Sequence, residues 1–320
     1  AVPASRLMDG CFVHVPPLMS AMLMLFVCLV LGALVARYAR PPAGMVASLN
    51  WWVLNVALPA LVLELIPRVT FDPQLWFLVA AMWLTFGGAW LFFGVLGARL
   101  GWSRQRIGAL ILVCGLGNTG FMGYPLLQAL RGKEGLALAI VADQLGTFMI
   151  LASAGIVVAS IYAGAVASPR LIARRVVLFP PFIALVLGAI AGQCGGWPVL
   201  LDSVFSPIGA TMTPLALFSV GMQFKLRGGQ GQWRAASMGL GWKLLLAPLL
   251  CLALGVATGI GGLVLAVGVL QAAMAPMVSA AILADEYGLE PALANTVLGA
   301  GIVLSLISVP RANCVMLGLA

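Results

Sequence analysis

Gly115-Leu116-Gly117-Asn118-Thr119-Gly120-Phe121-Met122-Gly123-Tyr124-Pro125 lies in the middle of a stretch long and apolar enough to cross a bilayer. A regular membrane helix does not favour four glycines, an amide, a threonine hydroxyl and a proline so close together. Each of these residues weakens or interrupts the helical ladder. Backbone that leaves the helix at membrane depth is tolerated only where it is buried in protein or lines a water-filled cavity, because lipid satisfies none of the freed N–H and C=O groups. In secondary transporters such interrupted helices build the substrate site. The segment therefore predicts a broken membrane span with a polar site at the break.

The composition agrees with a membrane setting. Of 320 residues, 62% are hydrophobic and 8% charged, and the mean hydropathy is +1.11. That is too apolar for a soluble domain of this length and reads as a polytopic membrane protein within a lipid bilayer. The net charge of +8 forms no continuous patch. Its arginines and lysines fall in short clusters between apolar runs, which reads as topology and not as nucleic-acid binding. Cys11, Cys28, Cys114, Cys194, Cys251 and Cys314 lack paired spacing and read as small core residues. No signal peptide is expected in the first fourteen residues, which carry Arg6 and Asp9. The abundance of methionine is read as ordinary apolar filling.

Runs of about 20 apolar residues, enough for about 30 Å of hydrocarbon, number about ten: 15 to 36, 44 to 66, 74 to 97, 104 to 129, 135 to 163, 171 to 192, 198 to 223, 235 to 257, 261 to 284 and 292 to 313. Loops after odd-numbered spans hold Arg37, Arg40, Arg99, Arg104, Arg106, Arg170, Arg174, Arg175, Lys225, Arg227 and Arg234. The opposite face holds Arg6, Arg68, Arg131, Lys133 and Arg311. Positive charge is retained on the cytoplasmic side, so both termini are expected outside the cytoplasm of a plasma or bacterial inner membrane.

Five spans per half is an odd number, so duplicated halves would be inserted with opposite orientation. A shift of about 155 residues lays Pro59 on Pro214, and nearly the same shift lays Gly132-Lys133-Glu134 on Gly288-Leu289-Glu290. It also sets Asn118-Thr119-Gly120 opposite Met274-Ala275-Pro276. Paired interruptions at corresponding places point to a binding site. In span nine, Gln271-Ala272-Ala273-Met274-Ala275-Pro276 should open the helix, since proline lacks the backbone donor. If the two breaks cross, the start of each second half-helix offers unpaired N–H groups and a partial positive charge. That is an anion cradle without a fixed cation, to which Asn118 and Gln271 add amides and Thr119 and Ser279 hydroxyls.

Asp143 and Gln144 lie inside span five, where a carboxylate is costly and normally faces a cavity or a partner. Asp143 is either a proton or cation site or a structural carboxyl paired with backbone donors and with Asn295 or Thr296 of span ten. Glu64, Asp202 and Lys243 stand nearer the ends of their spans and read as structural, their side chains reaching the interface. Gly115-Leu116-Gly117-Asn118-Thr119-Gly120 formally matches a dinucleotide fingerprint, but its flanks are membrane helix and no preceding strand supports it.

The run Cys114-Gly115-Leu116-Gly117-Asn118-Thr119-Gly120-Phe121-Met122-Gly123-Tyr124-Pro125, followed by Gly132-Lys133-Glu134-Gly135, resembles the auxin efflux carrier family. So do Leu49-Asn50 with Asn55-Val56-Ala57-Leu58-Pro59, Thr213-Pro214 through Gly221, and Gln271 through Pro276 with Ala284-Asp285-Glu286-Tyr287-Gly288. The family includes plant auxin exporters and bacterial transporters of small carboxylates such as malonate or malate. The resemblance implies an all-α polytopic fold of ten transmembrane helices in two inverted five-helix repeats, residues 15–165 and 170–316. Spans four and nine would be broken and crossing, as in bile-acid symporters and sodium/proton antiporters. It implies a scaffold of spans one, two, six and seven that forms a homodimer, and a mobile unit of the remainder. It places the substrate carboxylate at the crossover, against Asn118 and the backbone around Pro276; the candidate binding residues are then Asn118, Thr119, Gly120, Gln271, Met274, Ala275 and Pro276. The plant members' long cytoplasmic loop between spans five and six is absent, which argues against auxin as the substrate.

The expected function is secondary transport of small organic anions by an elevator-like movement. Each negative charge leaving an inside-negative cell gains about 2.3 kcal/mol per 100 mV, so uncoupled movement favours efflux. Import would need a coupled proton or sodium, and that coupling would involve Asp143, Gln144, Asn295 and Thr296. The alternatives are a cation-coupled symporter of the bile-acid type and a membrane receptor without transport. An enzyme is not expected: there is no zinc motif, no Ser/His pairing and one histidine, His14. No cofactor is implied.

Overall fold

The computed structural model describes residues 17–39, 41–69, 72–165, 168–223 and 232–318. Expectations placed on Arg6, Asp9, Cys11, His14, Arg40, Lys225 and Arg227 lie outside them. The described residues form helices and connecting turns: α1 (Pro17–Tyr38), α2 (Met45–Arg68), α3 (Pro73–Arg99), α4 (Arg104–Gly115), α5 (Thr119–Ala163), α6 (Pro169–Val177), α7 (Pro180–Gln193), α8 (Val199–Met222), α9 (Trp233–Ala257), α10 (Gly262–Ala272), α11 (Val278–Glu286) and α12 (Pro291–Gly318).

Among these, α2, α3, α5, α8, α9 and α12 are long and apolar enough to cross a membrane, while Leu23–Tyr38 of α1, α7 and α10 are shorter apolar helices. The count falls below ten long helices for identifiable reasons. Spans four and nine are cut at their interruptions, leaving α4 with 12 residues and α10 with 11. In turn α5 joins the second half of span four to the whole of span five in 45 residues. A straight helix of that length would measure about 68 Å, more than twice the hydrocarbon thickness. It leaves helical geometry at Gly132, with φ 69° and ψ −164°, a conformation open to glycine and strained for other residues.

Local chemistry sets several ends. The Asp72 carboxylate accepts the Gln74 N–H at 2.7 Å before α3, and the Ser103 hydroxyl accepts the Arg106 N–H at 3.2 Å before α4. Both are N-caps that satisfy donors the helix itself leaves free. Gly164 closes α5 in the left-handed region. Five segments are wound as π-turns: Val53–Ala57, Thr119–Gly123, Ala142–Thr147, Leu151–Gly155 and Trp242–Leu246. Such turns shift the side-chain register and gather at functional sites.

Packing separates two bodies. Helices α1, α2, α7 and α8 pack on one another, and α3, α4, α5, α9, α10, α11 and α12 on one another. Within the second body Arg106 grips Glu290 with three hydrogen bonds of 2.7 to 3.2 Å, tying the start of α4 to the turn before α12. Between the bodies the buried Glu64 carboxylate of α2 accepts from Lys133 of α5 at 3.2 Å. Within the first body the same carboxylate accepts from Ser206 of α8 at 3.2 Å, and Arg68 donates to Asp202 at 2.5 Å. Large apolar side chains such as Leu91 and Val256 are exposed, as expected of helices whose outer faces meet lipid.

Candidate functional site

The two interrupted spans meet. Helix α4 ends at Gly115, Leu116 is extended at φ −106° and ψ 132°, and α5 begins at Thr119 after Asn118. Helix α10 ends at Ala272, Met277 is extended, and α11 begins at Val278. Gly117 and Pro276 face each other in an antiparallel bridge. The Asn118 N–H donates to Ala275 O at 2.7 Å, and the Met277 N–H donates to Leu116 O at 3.2 Å. Each broken helix thus satisfies part of the other's backbone, as burial in a membrane requires. Pro276 suits its place because neither bridging bond uses a donor from residue 276.

Where the breaks meet, the caps and first turns of both second half-helices line a cavity of about 120 Å³. Asn118, Gly120 and Phe121 come from one break and Met277 and Ser279 from the other. Asp143, Gln144, Phe148 and Leu151 come from the second arm of α5. Leu54, Leu58, Met212 and Phe179 close it from the α1, α2, α7 and α8 side. The Phe148 and Phe179 rings stack with centroids 3.8 Å apart. They separate this cavity from a second one of about 280 Å³ that reaches Ile282, Leu283 and Glu286.

The polar groups divide into used and unused. Asp143 is buried and accepts from three donors: the Thr119 hydroxyl, the Tyr124 hydroxyl at 2.6 Å and the Gln144 amide at 3.0 Å. The Thr119 hydroxyl has a second acceptor, Gly117 O, at 3.4 Å. Asn118 Nδ2 and Gln144 Oε1 are buried without a hydrogen-bond partner among the described residues. A buried amide nitrogen left unpaired costs free energy unless water or a ligand meets it.

The expected site residues are distributed unevenly. Asn118, Gly120, Asp143 and Gln144 line the cavity, and Thr119 stands behind them on Asp143. Gln271, Met274, Ala275 and Pro276 are buried at the crossing but outside the cavity wall, where Met277 and Ser279 represent span nine. Gln271 instead clamps backbone, donating to Ala139 O at 3.2 Å and Thr119 O at 3.4 Å. The pairing of Asp143 with Asn295 or Thr296 is not what the fold brings together: Asn295 is exposed on α12, and Thr296 donates to Ala292 O and meets Gln232. The hairpin at Gly132 folds α5 on itself and delivers Thr119 and Tyr124 to the carboxyl first. Lys243, expected near the interface, is buried to 1% exposure against Gly117, because the π-turn Trp242–Leu246 carries it inward. Sequence reasoning missed Tyr124, whose only signal is its place in the glycine-rich run ahead of Pro125.

Apolar helices opened at the crossing around a small polar-floored cavity are the build of a membrane transporter. Residues 17–311 match the family described as membrane transport protein. The chain belongs to that family, the family of the auxin efflux carriers. It is similar to an uncharacterised transporter of Methanothermobacter thermautotrophicus, 27% identical over 278 residues covering 84% of this chain and 89% of that one. An uncharacterised transporter of Methanocaldococcus jannaschii is 32% identical over 141 residues, 41% of this chain and 45% of that one. The protein is accordingly an integral membrane transporter.

Proposed function

We propose that the protein is a secondary transporter exporting small organic anions, carboxylates of the size of malonate or malate, by alternating access. The observation that carries this reading is the Asn118 amide, buried at the cavity with its nitrogen unpartnered among the described residues. Around it two half-helix N-termini contribute partial positive charge, and the lining residues include no lysine or arginine. Such a site holds one carboxylate by hydrogen bonds and dipoles and releases it readily. The apolar walls and the cavity volume favour a short substrate body.

The architecture in this reading is ten spans in two inverted repeats, residues 15–165 and 170–316. Left-handed glycines at matching places, Gly132 and Gly288, support it. The body of α1, α2, α7 and α8 is the scaffold and homodimer face, and the other body is the elevator. The cavity's position on the boundary between the two suits that division. Both termini lie outside the cytoplasm of a bacterial inner membrane. Tags at either end are expected to be reached by impermeant reagents on intact cells, and protection of both would reverse the topology. For the substrate, counterflow in proteoliposomes with a panel of radiolabelled carboxylates, with and without sodium, is the test. Failure of a monodisperse protein to exchange any of them would end this reading.

Asp143 is the titrating group beside the substrate in this scheme. A bound carboxylate beside an ionised Asp143 is repelled, so the neutral form of Asp143 suits the loaded state. When Asp143 takes a proton, the Thr119 hydroxyl has Gly117 O to turn to. The sign follows: substrate affinity rises as pH falls, because falling pH populates the neutral form. Asp143→Asn preserves shape, mimics that form and is expected to bind with little pH dependence. Identical pH profiles for mutant and wild type would make Asp143 structural.

A further inference from the structure

The crossing has a second face, turned away from the cavity, and it is charged. Lys243 is 1% exposed, and a Cβ placed on Gly117 would stand 2.9 Å from its Nζ and 3.2 Å from Gln271 O. The ammonium therefore lies against the break, beside the last turn of α10 and just past the end of α4. Among the described residues no carboxylate pairs with it. The titratable groups that face it are the thiols of Cys114 on α4 and Cys251 on α9. An ammonium at this depth without a counter-ion is unfavourable and does not persist without compensation.

The compensation comes from the helix ends. A helix leaves its last four carbonyls without intrahelical donors and carries partial negative charge there. Both first half-helices, α4 and α10, end at the crossing. Their negative ends meet where Lys243 stands, while the positive ends of α5 and α11 meet at the cavity. We propose that Lys243 is the resident cation of the crossover, a positioning residue that balances the two half-helix C-termini and takes the place a bound alkali cation would fill. Gly117 is glycine because any side chain there would push against the ammonium and the Gln271 carbonyl. The break is then held in register without sodium, which leaves the opposite face free for an anion. Only the flux arm of the test below rests on the anion-transport reading. The melting arm stands without it.

Lys243→Met removes the charge and keeps the length. Replacing a buried charge that has no role with an apolar residue of similar shape is neutral or stabilising. If Lys243 balances the helix ends, the sign reverses: the purified Met variant melts several degrees below wild type, and its carboxylate counterflow falls at least tenfold. Lys243→Ala leaves room, so methylammonium or an alkali cation raises its melting temperature toward wild type, with choline as the control. Wild type, with its own ammonium in place, melts alike in sodium, potassium and choline chloride at equal ionic strength. A Met variant that melts at or above wild type overturns the proposal, as does an Ala variant that no small cation stabilises. If neither variant can be purified, the wild-type comparison decides, and specific stabilisation of wild type by sodium is the overturning result. A wild type that melts as described but moves no carboxylate leaves Lys243 in its role and removes the substrate assignment instead.

Discussion

Asn118→Ala is expected to lower substrate affinity by one to two orders of magnitude while leaving the purified protein folded. The fold side of this statement rests on Asn118 Nδ2 having no hydrogen-bond partner among the described residues, so truncation costs the protein none of the bonds that nitrogen makes. The backbone of residue 118, which does hold the crossing through its N–H to Ala275 O at 2.7 Å, is unchanged by the substitution. On the ligand side, a hydrogen bond to a charged group contributes about 1.5 to 3 kcal/mol, and every 1.4 kcal/mol is about tenfold in affinity. Isothermal binding or counterflow half-saturation with the best carboxylate measures it. Equal affinity in a monodisperse variant with an unchanged melting temperature would remove the amide from the site and leave the helix ends alone to hold the anion.

The breaks were legible because they violate a rule that lipid enforces. Gly117, Asn118 and Pro276 interrupt apolar runs, and a membrane helix has no reason to carry them except a site or a crossing. What stayed hidden depends on long-range geometry. Asp143 finds Thr119 and Tyr124, 24 and 19 residues back along the chain, only because the turn at Gly132 folds α5 into two packed arms. No periodicity encodes that meeting. The direction of Lys243 depends on the π-turn Trp242–Leu246, which shifts the register by one residue. Pro248, just after it, marks a disturbed helix but not which way the side chain is turned. The choice between Gln271 and Ser279 as the cavity residue of span nine likewise turns on which side of the break a residue stands. Residues before the break serve the first half-helix and the back of the crossing, and residues after it serve the cavity.

That division explains why the same short segment contains both a cradle and a clamp. Opened backbone supplies N–H groups on one side and C=O groups on the other, and each needs an answer of opposite character. In the proposed reading the answer on the cavity side is a neutral amide and a guest anion, and on the rear side it is the Lys243 ammonium. The Gln271 side chain stands on the rear side too, and both it and Lys243 are at 1% exposure or less. A transporter must exchange the guest without disturbing the frame, and the separation of the two faces makes that possible.

Gly123→Ala is the substitution expected to damage the frame most for the fewest atoms added. A Cβ at residue 123 would lie 2.4 Å from Gln271 Oε1 and 3.2 Å from its Cδ, well inside contact distance. Gln271 is fully buried and its amide nitrogen is committed to Ala139 O and Thr119 O, so it yields only by giving up those bonds. Overpacking of this kind costs about 1 to 3 kcal/mol, and each hydrogen bond lost adds about 0.5 to 1.5 kcal/mol. The Thr119 carbonyl held by that amide belongs to the first turn of α5, so the displacement reaches the cavity as well. We expect a lower melting temperature together with loss of most transport. Gly87→Ala, where an added Cβ has nothing within 4 Å, is the control and should match wild type. The decisive measurement is the double variant Gly123→Ala with Gln271→Ala, which removes the colliding atoms. Neighbours in contact are coupled, so the pair should melt closer to wild type than Gly123→Ala alone. Additive losses would show that Gly123 serves the helix itself and that the clamp by Gln271 is incidental to it.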